Sequence, residues 1–265
     1  MAIVVAEERR QKLAELVNER GYIPLAELVD LMGVSESTVR RDLDSLHDAG
    51  IVRRTHGGAA GSIERVAGLT AFDERRQKQV NEKQQIGAAM AAIIQDGETV
   101  FLDGGTTTYE VARHLIHRSL LVFTNSLPIA NLLSGCRGID LVVVGGVVYP
   151  KTGVALGPMT TAALRDLHVQ RLVLGVAGIT RRGLFNGNLL LVETERAMMA
   201  CAEETNVVAD ATKFGQPGLA FLAEWGDIHR VVTDESLSDE QRTLVAGNVD
   251  LVIAGAKSQA KAEVR

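Results

Sequence analysis

Residues 33–43 have the sequence GVSESTVRRDL, and this stretch decides the fold of the first part of the chain. The preceding segment, residues 24–32, is apolar at positions 25, 28, 29 and 32, which is the spacing of one helix face. Gly33 suits the C-terminal cap of that helix, and Ser35 suits the N-cap of a second helix. The second helix places three apolar residues on one face: Val39, Leu43 and Leu46. The sequence therefore predicts two helices joined by a tight turn.

The other face of the second helix is polar, with hydroxyl and guanidinium groups that suit the phosphates and base edges of DNA. Residues 51–55 alternate like a strand, and the glycines that follow let the chain turn back as a hairpin. With a further helix at 7–20, these elements predict a winged helix-turn-helix domain over residues 1–58. Its predicted contacts with double-stranded operator DNA are Ser35, Ser37, Thr38, Arg40, Arg41, Arg53, Arg54 and His56.

The charge of this region opposes the DNA-binding interpretation, because residues 1–60 contain eight Lys and Arg against ten Asp and Glu. A small helical domain that binds another protein is the alternative. The ordered set of turn, cap, polar face and basic hairpin favours DNA. We therefore expect the acidic side chains to lie away from the DNA-facing surface and to leave a local positive stripe.

Composition limits the class of protein. A chain of 265 residues suits two domains, and a hydrophobic fraction of 46% is enough for packed cores. No segment approaches the unbroken run of about 18–20 apolar residues that a membrane span needs, so no membrane partner is expected. Cys136 and Cys201 lack metal-ligand spacing and are expected to be reduced in a cytoplasmic protein, and the histidines show no ligand spacing either. We expect no metal ion and no cofactor.

After the first domain we predict a linker and the start of a connecting helix over 59–81, and a frayed tail over 257–265. Between them, residues 82–256 alternate apolar runs with amphipathic segments, which is typical of an open, mostly parallel α/β sheet with helices on both faces. The apolar runs are 99–102, 120–124, 139–144, 171–177, 206–209, 230–233 and 250–254.

Ligands of such sheets bind at the carboxyl ends of the strands, and polar residues follow several of the predicted strands. The loop after 99–102 has two glycines and three threonines, whose N–H and hydroxyl groups, with the N-terminus of the next helix, suit a phosphate group. Lys213 is the expected cation, and Asp103, Asn125 and Asp210 are expected to hold sugar hydroxyls. The predicted effector-binding residues are Asp103, Gly104, Gly105, Thr106, Thr107, Thr108, Asn125, Ser126, Gly145, Gly146, Glu193, Asp210 and Lys213.

Some of these residues also fit a purely structural role. Gly145 and Gly146 suit a bare turn as well as a ligand contact. Glu193 and Glu195 open a helix, where acidic residues are favourable. We expect Glu195 to act as a cap and Glu193 to reach the site. The chain lacks the ending of a P-loop, so the phosphate site is of another kind.

These motifs together resemble the DeoR family of bacterial transcriptional regulators over nearly the full length. The matching elements are the 34–43 helix, the 56–59 wing, Glu82-Lys83, residues 103–107, Thr124-Asn125-Ser126, Gly145-Gly146 and the segment from Asp210 to Gly215. The resemblance implies a DNA-binding domain joined to a sensor domain similar to ribose-5-phosphate isomerase. It also implies a repressor of sugar or polyol catabolism that a phosphorylated sugar releases from DNA, acting as a homo-oligomer, either a dimer or a tetramer. The family often has Asp and Phe in the segment where this chain has Gln170 and Val173.

An enzyme is the alternative, because the sensor residues also suit an aldose–ketose phosphate isomerase with an added DNA-binding domain. Its proton transfer would use a carboxylate base and an electrophilic cation. The residues with suitable chemistry are Asp103, Glu193, Asp210 and Lys213. The N-terminal helix-turn-helix favours the regulator. A third interpretation is an activator, since sequence does not encode the sign of regulation, or a regulator that senses an unphosphorylated ligand.

Overall fold

The computed structural model describes residues 2–20, 22–48, 51–55, 57–61 and 72–255. The chain divides into two compact units, Met1–Thr70 and Ala71–Arg265, each with its own core. Within the described residues, no helix is long and apolar enough to cross a membrane. The predicted tail over 257–265 lies outside the described residues.

The first unit is a small helical domain with a three-stranded sheet. Its elements are α1 (Ala2–Arg20), β1 (Tyr22–Pro24), α2 (Leu25–Met32), α3 (Glu36–Asp48), β2 (Val52–Thr55) and β3 (Gly58–Gly61). Gly33 ends α2 in the left-handed conformation with φ 63°, and its N–H donates to the carbonyl of Val29. The predicted turn between the two helices is thereby confirmed. The apolar faces of α1, α2 and α3 meet in one core, which contains the predicted residues Val39, Leu43 and Leu46.

The strand β3 extends this unit beyond the predicted limit at residue 58. It pairs antiparallel with β2 from Thr55↔Gly58 to Val52↔Gly61 and with β1 on its other side. Residues 59–61, which fall within the predicted linker, therefore form part of the three-stranded sheet. Strand β1 forms hydrogen bonds with the edge of β3 that faces away from β2. The run Tyr22–Pro24 is too short to predict a strand from the sequence alone.

The second unit is an α/β domain. Its elements are α4 (Phe72–Arg76), α5 (Val80–Ile93), β4 (Thr99–Leu102), α6 (Thr106–Leu115), β5 (Leu120–Thr124), α7 (Leu127–Leu133), β6 (Ile139–Val143), β7 (Val147–Tyr149), β8 (Val154–Leu156), α8 (Pro158–Leu164), β9 (Val169–Gly175), β10 (Gly178–Thr180), β11 (Gly183–Asn186), α9 (Leu189–Ala200), β12 (Ala202–Val208), β13 (Ala220–Ala223), β14 (Arg230–Asp234), α10 (Asp239–Ala246) and β15 (Asp250–Ala254). Helix α4 begins at residue 72, inside the predicted linker.

Seven of these strands form a parallel sheet in the order β15-β14-β12-β9-β4-β5-β6. Each of the seven predicted apolar runs forms one of them, which confirms the predicted fold class. The antiparallel sheet β10-β11-β13 and the β7-β8 ribbon were not predicted from the sequence. Their strands are three or four residues long, which is too short for a clear alternating pattern.

The sheet separates two apolar layers because successive side chains of a strand point to opposite faces. On β4, Phe101 packs into one layer, and Val100 and Leu102 pack into the other. Residues of α5, α6 and α7 cover the second layer, whereas residues of α8, α9 and α10 cover the first. Because the seven strands of the central layer are parallel, the polar residues at their carboxyl ends lie along the same edge of the sheet.

The order of the strands reverses next to β4. The chain runs outward from β4 through β5 to β6 and then returns to β9 on the other side of β4. The connections after β4 and β9 therefore leave the sheet in opposite directions and open a crevice between them. In open α/β sheets, ligands bind at such a point.

Candidate effector site and DNA-binding surface

The loop after β4 lies at the point where the strand order reverses. The N–H of Asp103 donates to the carbonyl of Val173 on β9 at 3.0 Å, which anchors the loop to both central strands. Helix α6 begins at Thr106. The side-chain hydroxyls of Thr106 and Thr107 make no hydrogen bond with the part of the chain that the structure describes, whereas that of Thr108 donates to the carbonyl of Gly105 at 2.9 Å. Two free hydroxyls thus stand at the positive end of a ten-residue helix.

Gly104 allows this loop to pack closely against β8. A Cβ atom at this position would collide with the side chain of Val154 and lie 3.6 Å from the Cβ of Ser126. The absence of a side chain at Gly104 therefore lets the loop after β4 lie close to β8 and to Ser126.

The carboxyl group of Asp103 is fully buried, and neither of its oxygens accepts a hydrogen bond of normal geometry from the described residues. Burial raises the pKa of Asp103 to about 7, although the nearby N–H groups of Gly104 and Gly175 and the charge of Arg75 act in the opposite direction. A carboxyl group with two unpaired acceptor atoms at the point where the strand order reverses is a candidate to bind a donor.

Glu195, on α9, lies close to Asp103. It is also fully buried, and its pKa is raised well above the usual value by burial first and by the charge of Asp103 second. The side-chain amide of Asn186 donates to Glu195 Oε1 at 2.6 Å, and Glu195 Oε2 has no partner among the described residues. The carboxyl groups of Asp103 and Glu195 are thus buried close to each other at the carboxyl ends of the strands.

The predicted cap role of Glu195 is wrong, whereas the predicted contact of Glu193 with the effector stays a prediction. The N-cap of α9 is Asn188, whose side chain accepts from the N–H of Leu190, so Glu195 lies nearly two turns inside the helix and does not cap it. Glu193 is exposed, whereas Glu195 is buried. Residues two positions apart on a helix point in directions about 200° apart, so only one of the pair faces the core.

The end of β5 contributes Asn125 and Ser126, which are both fully buried. The amide of Asn125 donates to the carbonyl of Ala155 at 3.0 Å, which leaves Asn125 Oδ1 without a partner in the described structure. Ser126 is the N-cap of α7 and accepts from the N–H of Ile129. Asn125 therefore has a free acceptor, whereas Ser126 is occupied by a structural bond.

Gly145 and Gly146 follow β6 and differ from each other. The carbonyl of Gly145 accepts from the hydroxyl of Thr160 at 3.0 Å, and a Cβ there would meet nothing within 4 Å. At Gly146 a Cβ would collide with the Thr160 hydroxyl and lie 2.9 Å from the carbonyl oxygen of Leu156. The packing role is thus clear for Gly146, and the ligand role of either glycine stays a prediction.

Asp210 and Lys213 lie in the short turn after β12. Asp210 is buried, and its Oδ1 accepts from the N–H of Thr212, which closes the turn Ala211–Lys213. Lys213 is half-buried and stands near Lys83 of α5. Burial lowers the pKa of Lys83, the charge of Asp210 raises it, and the charges of Lys213 and Arg75 lower it further. The turn after β12 therefore belongs to the same electrostatic cluster as α4 and α5.

Arg75 and Lys83 lie near the predicted site residues, and neither was predicted from the sequence. The ammonium group of Lys83 donates to the carbonyls of Arg75 and Lys78, both at 2.6 Å, and so ties the end of α4 to α5. Arg75 Nε is buried without a hydrogen-bond partner in the described chain, and its guanidinium lies near Asp103. Neither residue follows a strand, so the rule that found the strand ends could not find them.

On the first unit, the hydroxyl groups gather at the start of α3. Ser35 is the cap, and its Oγ lies 2.8 Å from Thr38 Oγ1 and 3.0 Å from Ser37 Oγ. Arg41 is exposed and makes no ion pair within the described residues. The predicted polar face is therefore present at the end of the helix that the helix dipole makes positive.

The acidic residues do not all lie away from this face, contrary to expectation. Arg40 forms an ion pair with Glu36 at 2.7 Å, and Arg54 forms one with Asp44. The spacing of four residues places Glu36 beside Arg40 on the helix surface, and the wing carries Arg54 to Asp44. The side chain of Arg53 and the whole of His56 lie outside what the structure describes.

The described residues contain no group of three or more His, Cys, Asp or Glu side chains that could hold a metal ion. Among the described residues, Asp103 and Glu195 therefore have no third His, Cys, Asp or Glu side chain close enough to complete a metal site.

Both units match known families over most of their lengths. Residues 9–65 match the DeoR-like helix-turn-helix domain, and residues 78–235 match the DeoR C terminal sensor domain. The chain belongs to the DeoR family of transcriptional regulators. This confirms the family that the sequence motifs indicated.

Curated relatives of this DeoR-family chain are similar over most of their own lengths. The HTH-type transcriptional repressor CsqR of Escherichia coli (strain K12) is 35% identical over 86% of this chain and 87% of its own. The glycerol-3-phosphate regulon repressor of the same organism is 32% identical over 86% of this chain and 90% of its own. The family assignment makes this protein a DNA-binding regulator and not an enzyme, which decides against the isomerase alternative.

Part of the chain is also similar to solved structures of enzymes. Ribose 5 phosphate isomerase A from Neisseria gonorrhoeae is 14% identical over 55% of each chain, with a TM-score of 0.37. A similarity this weak carries no argument about fold or function, and the likeness to that enzyme stays a prediction.

Proposed function

We propose that this DeoR-family regulator represses a sugar or polyol catabolic operon and is released from its operator by a phosphorylated sugar. The observation that carries the proposal is the N-terminus of α6, where the hydroxyls of Thr106 and Thr107 have no hydrogen-bond partner among the described residues. Backbone N–H groups and free hydroxyls at a helix N-terminus suit a phosphate group. Lys213 supplies the neutralising cation, and Asp103, Asn125 and Asp210 hold sugar hydroxyls.

The DNA side of the proposal rests on α3 and the wing. Helix α3 enters the major groove with Ser35, Ser37, Thr38, Arg40 and Arg41, and the wing contributes Arg53, Arg54 and His56. Phosphate contacts set affinity and register, whereas contacts with base edges set specificity. The effector acts by binding more tightly to the form of the protein that holds DNA less well, because a ligand indifferent to the two forms shifts nothing.

The test begins with an operator selected from random double-stranded DNA by the full-length protein. Release of that operator is then measured by fluorescence anisotropy with ribose 5-phosphate, glycerol 3-phosphate, fructose 1-phosphate and glucose 6-phosphate, each beside its unphosphorylated counterpart. We expect at least one phosphorylated compound to release the DNA and its counterpart to leave it bound. Equal effects of the two members of every pair would contradict a phosphate-reading site.

Variants of single cations sharpen this test. Lys213→Ala is expected to weaken the active phosphorylated compound about tenfold or more, since a hydrogen bond to a charged group contributes about 1.5–3 kcal/mol. Arg137→Ala is the matched control, because Arg137 is exposed on the loop before β6, at the other edge of the sheet. Loss of response in both variants would mean that net charge, and not the site, sets the affinity.

We further propose that the protein is a cytoplasmic homo-oligomer, either a dimer or a tetramer. Supporting this, the edge strand β6 exposes 40% of Val142 and 46% of Val143, and the nearby ribbon exposes 72% of Val147. An apolar edge of this kind is a usual place of association. Sedimentation equilibrium of the wild type and of Val143→Lys tests it. We expect an oligomer for the first and a smaller species for the second, and a monomeric wild type would contradict the proposal.

A further inference from the structure

The two buried carboxyl groups at the point where the strand order reverses stand out from the rest of the sensor domain. Four acceptor atoms there have no hydrogen-bond partner among the described residues: both oxygens of Asp103, Oε2 of Glu195 and Oδ1 of Asn125. All three side chains are fully buried. Buried polar atoms are normally paired, so a group of unpaired acceptors points to a ligand that brings donors.

We propose that Glu195, together with Asp103, forms a subsite that binds neighbouring hydroxyl groups of the effector while the two carboxyl groups hold one proton between them. This rests on the proposed phosphorylated-sugar effector and assigns to Glu195 a role in specificity. Glu195 is positioned by Asn186, whose amide donates to Oε1 at 2.6 Å and lies 3.5 Å from the carbonyl of Gly175. The unpaired Oε2 is then free to meet a hydroxyl.

The charges around the pair favour hydroxyl groups over a cationic group. Two neighbouring carboxyl groups in a buried place cannot both ionise at low cost, so one retains a proton near neutral pH. The remaining negative charge is balanced by Arg75 of α4, whose guanidinium lies near Asp103. A neutral donor such as a hydroxyl fits this balanced group, whereas an ammonium group would add an unmatched charge.

Other charged groups of the sensor domain are linked to Arg75 through Lys83. They are Lys83 of α5, Glu110 of α6, and Asp210 and Lys213 of the turn after β12, which act on one another through Lys83. In the described structure the Asp103 oxygens are closed to solvent, while Arg75 is only partly buried.

The test compares the full-length wild type with Glu195→Gln, which keeps the shape of the side chain but cannot lose a proton. Binding of the four phosphorylated sugars is measured by calorimetry between about pH 7 and about pH 9, where a phosphate monoester with a pKa near 6 is already doubly charged. We expect the affinity of the wild type to fall several-fold across this range, at most about tenfold per pH unit for one proton. Glu195→Gln should stay constant within about twofold.

Two further measurements test the inference even if Glu195→Gln folds poorly. Asn186→Ala removes the donor that favours the ionised glutamate, so its affinity is expected to fall at a higher pH than that of the wild type. Inorganic phosphate has no sugar hydroxyls, so its binding should have the same pH profile in all three proteins.

An equal dependence of affinity on pH in the wild type and in Glu195→Gln would overturn the proposal of a shared proton. It would leave the proposal of a phosphorylated effector unaffected. A wild-type affinity that does not change with pH would overturn it too. If none of the four sugar phosphates binds either protein, the proposed function fails and this inference fails with it.

Discussion

The guanidinium of Arg40 lies 2.7 Å from the carboxylate of Glu36, one turn earlier on the exposed face of α3. Both side chains are accessible, with 42% of Arg40 and 60% of Glu36 exposed. Of the two adjacent arginines predicted to contact DNA, Arg40 is therefore already paired in the free protein, whereas Arg41 forms no ion pair with the described residues. The two adjacent arginines should differ in what they contribute to DNA binding.

The first prediction concerns this difference. Arg41→Ala is expected to weaken binding to the selected operator by about 1–3 kcal/mol, as for loss of a specific arginine. Arg40→Ala should weaken it less, because Arg40 must first give up its pair with Glu36. Fluorescence anisotropy at one fixed salt concentration measures both, with Arg137→Ala as the control. An equal or larger loss for Arg40→Ala would show that the ion pair has no influence.

The second prediction concerns the acidic partner. Glu36→Gln is expected to strengthen DNA binding, since it frees Arg40 and removes a negative charge near the phosphates. If Arg40 then neutralises one more phosphate, the dependence of log affinity on log salt should steepen by about 0.9. A salt titration of the wild type, Glu36→Gln and the double variant Glu36→Gln/Arg40→Ala measures this. The double variant should lose the gain, and a gain that persists would point to the charge alone.

The third prediction concerns pH and the stability of the sensor domain. The pKa of Asp103 is about 7 in the folded protein, above its usual value of 3.8. The folded state therefore holds a proton that the unfolded chain has lost, and the free energy of unfolding falls from about pH 4 to about pH 7. Each pKa unit of difference corresponds to about 1.4 kcal/mol, which makes the expected fall a few kcal/mol.

Asp103→Asn should remove this part of the pH dependence and be more stable than the wild type at neutral pH. Trp225 is the single tryptophan and lies in the sensor core, so its fluorescence reports urea unfolding of this domain alone. Parallel pH profiles for the wild type and Asp103→Asn would contradict the raised pKa.

The fourth prediction separates the two adjacent glycines after β6. Gly146→Ala is expected to destabilise the sensor domain by about 1–3 kcal/mol, because its methyl group would press on Thr160 and Leu156. Gly145→Ala should change the free energy of unfolding by much less, since the added methyl meets nothing within 4 Å. Urea unfolding followed by Trp225 fluorescence measures both. If Gly145→Ala is stable but binds the sugar phosphate less tightly, the predicted ligand role of that residue gains support.

Much of the architecture was predictable because it depends on local patterns. The helical spacing on either side of Gly33 predicted α2 and α3, and the glycine has the left-handed conformation that such a cap requires. The seven apolar runs predicted the seven strands of the large sheet, since a strand buried on both faces reads as a continuous apolar run. Strand β3 continues past the predicted limit of the first domain, and one of its two partner strands, β1, is far away along the chain.

The sequence by itself determined the two domains, the polar face of α3 and the polar residues at the strand ends, because periodicity and strand termini are properties of adjacent residues. Only the tertiary structure decided that Glu195 lies near Asp103, and that Arg75 lies near both Asp103 and Lys83. These contacts depend on the order of strands in the sheet and on which helix packs over which strand end. Burial then sets the pKa of each group, and burial is a property of the packed molecule.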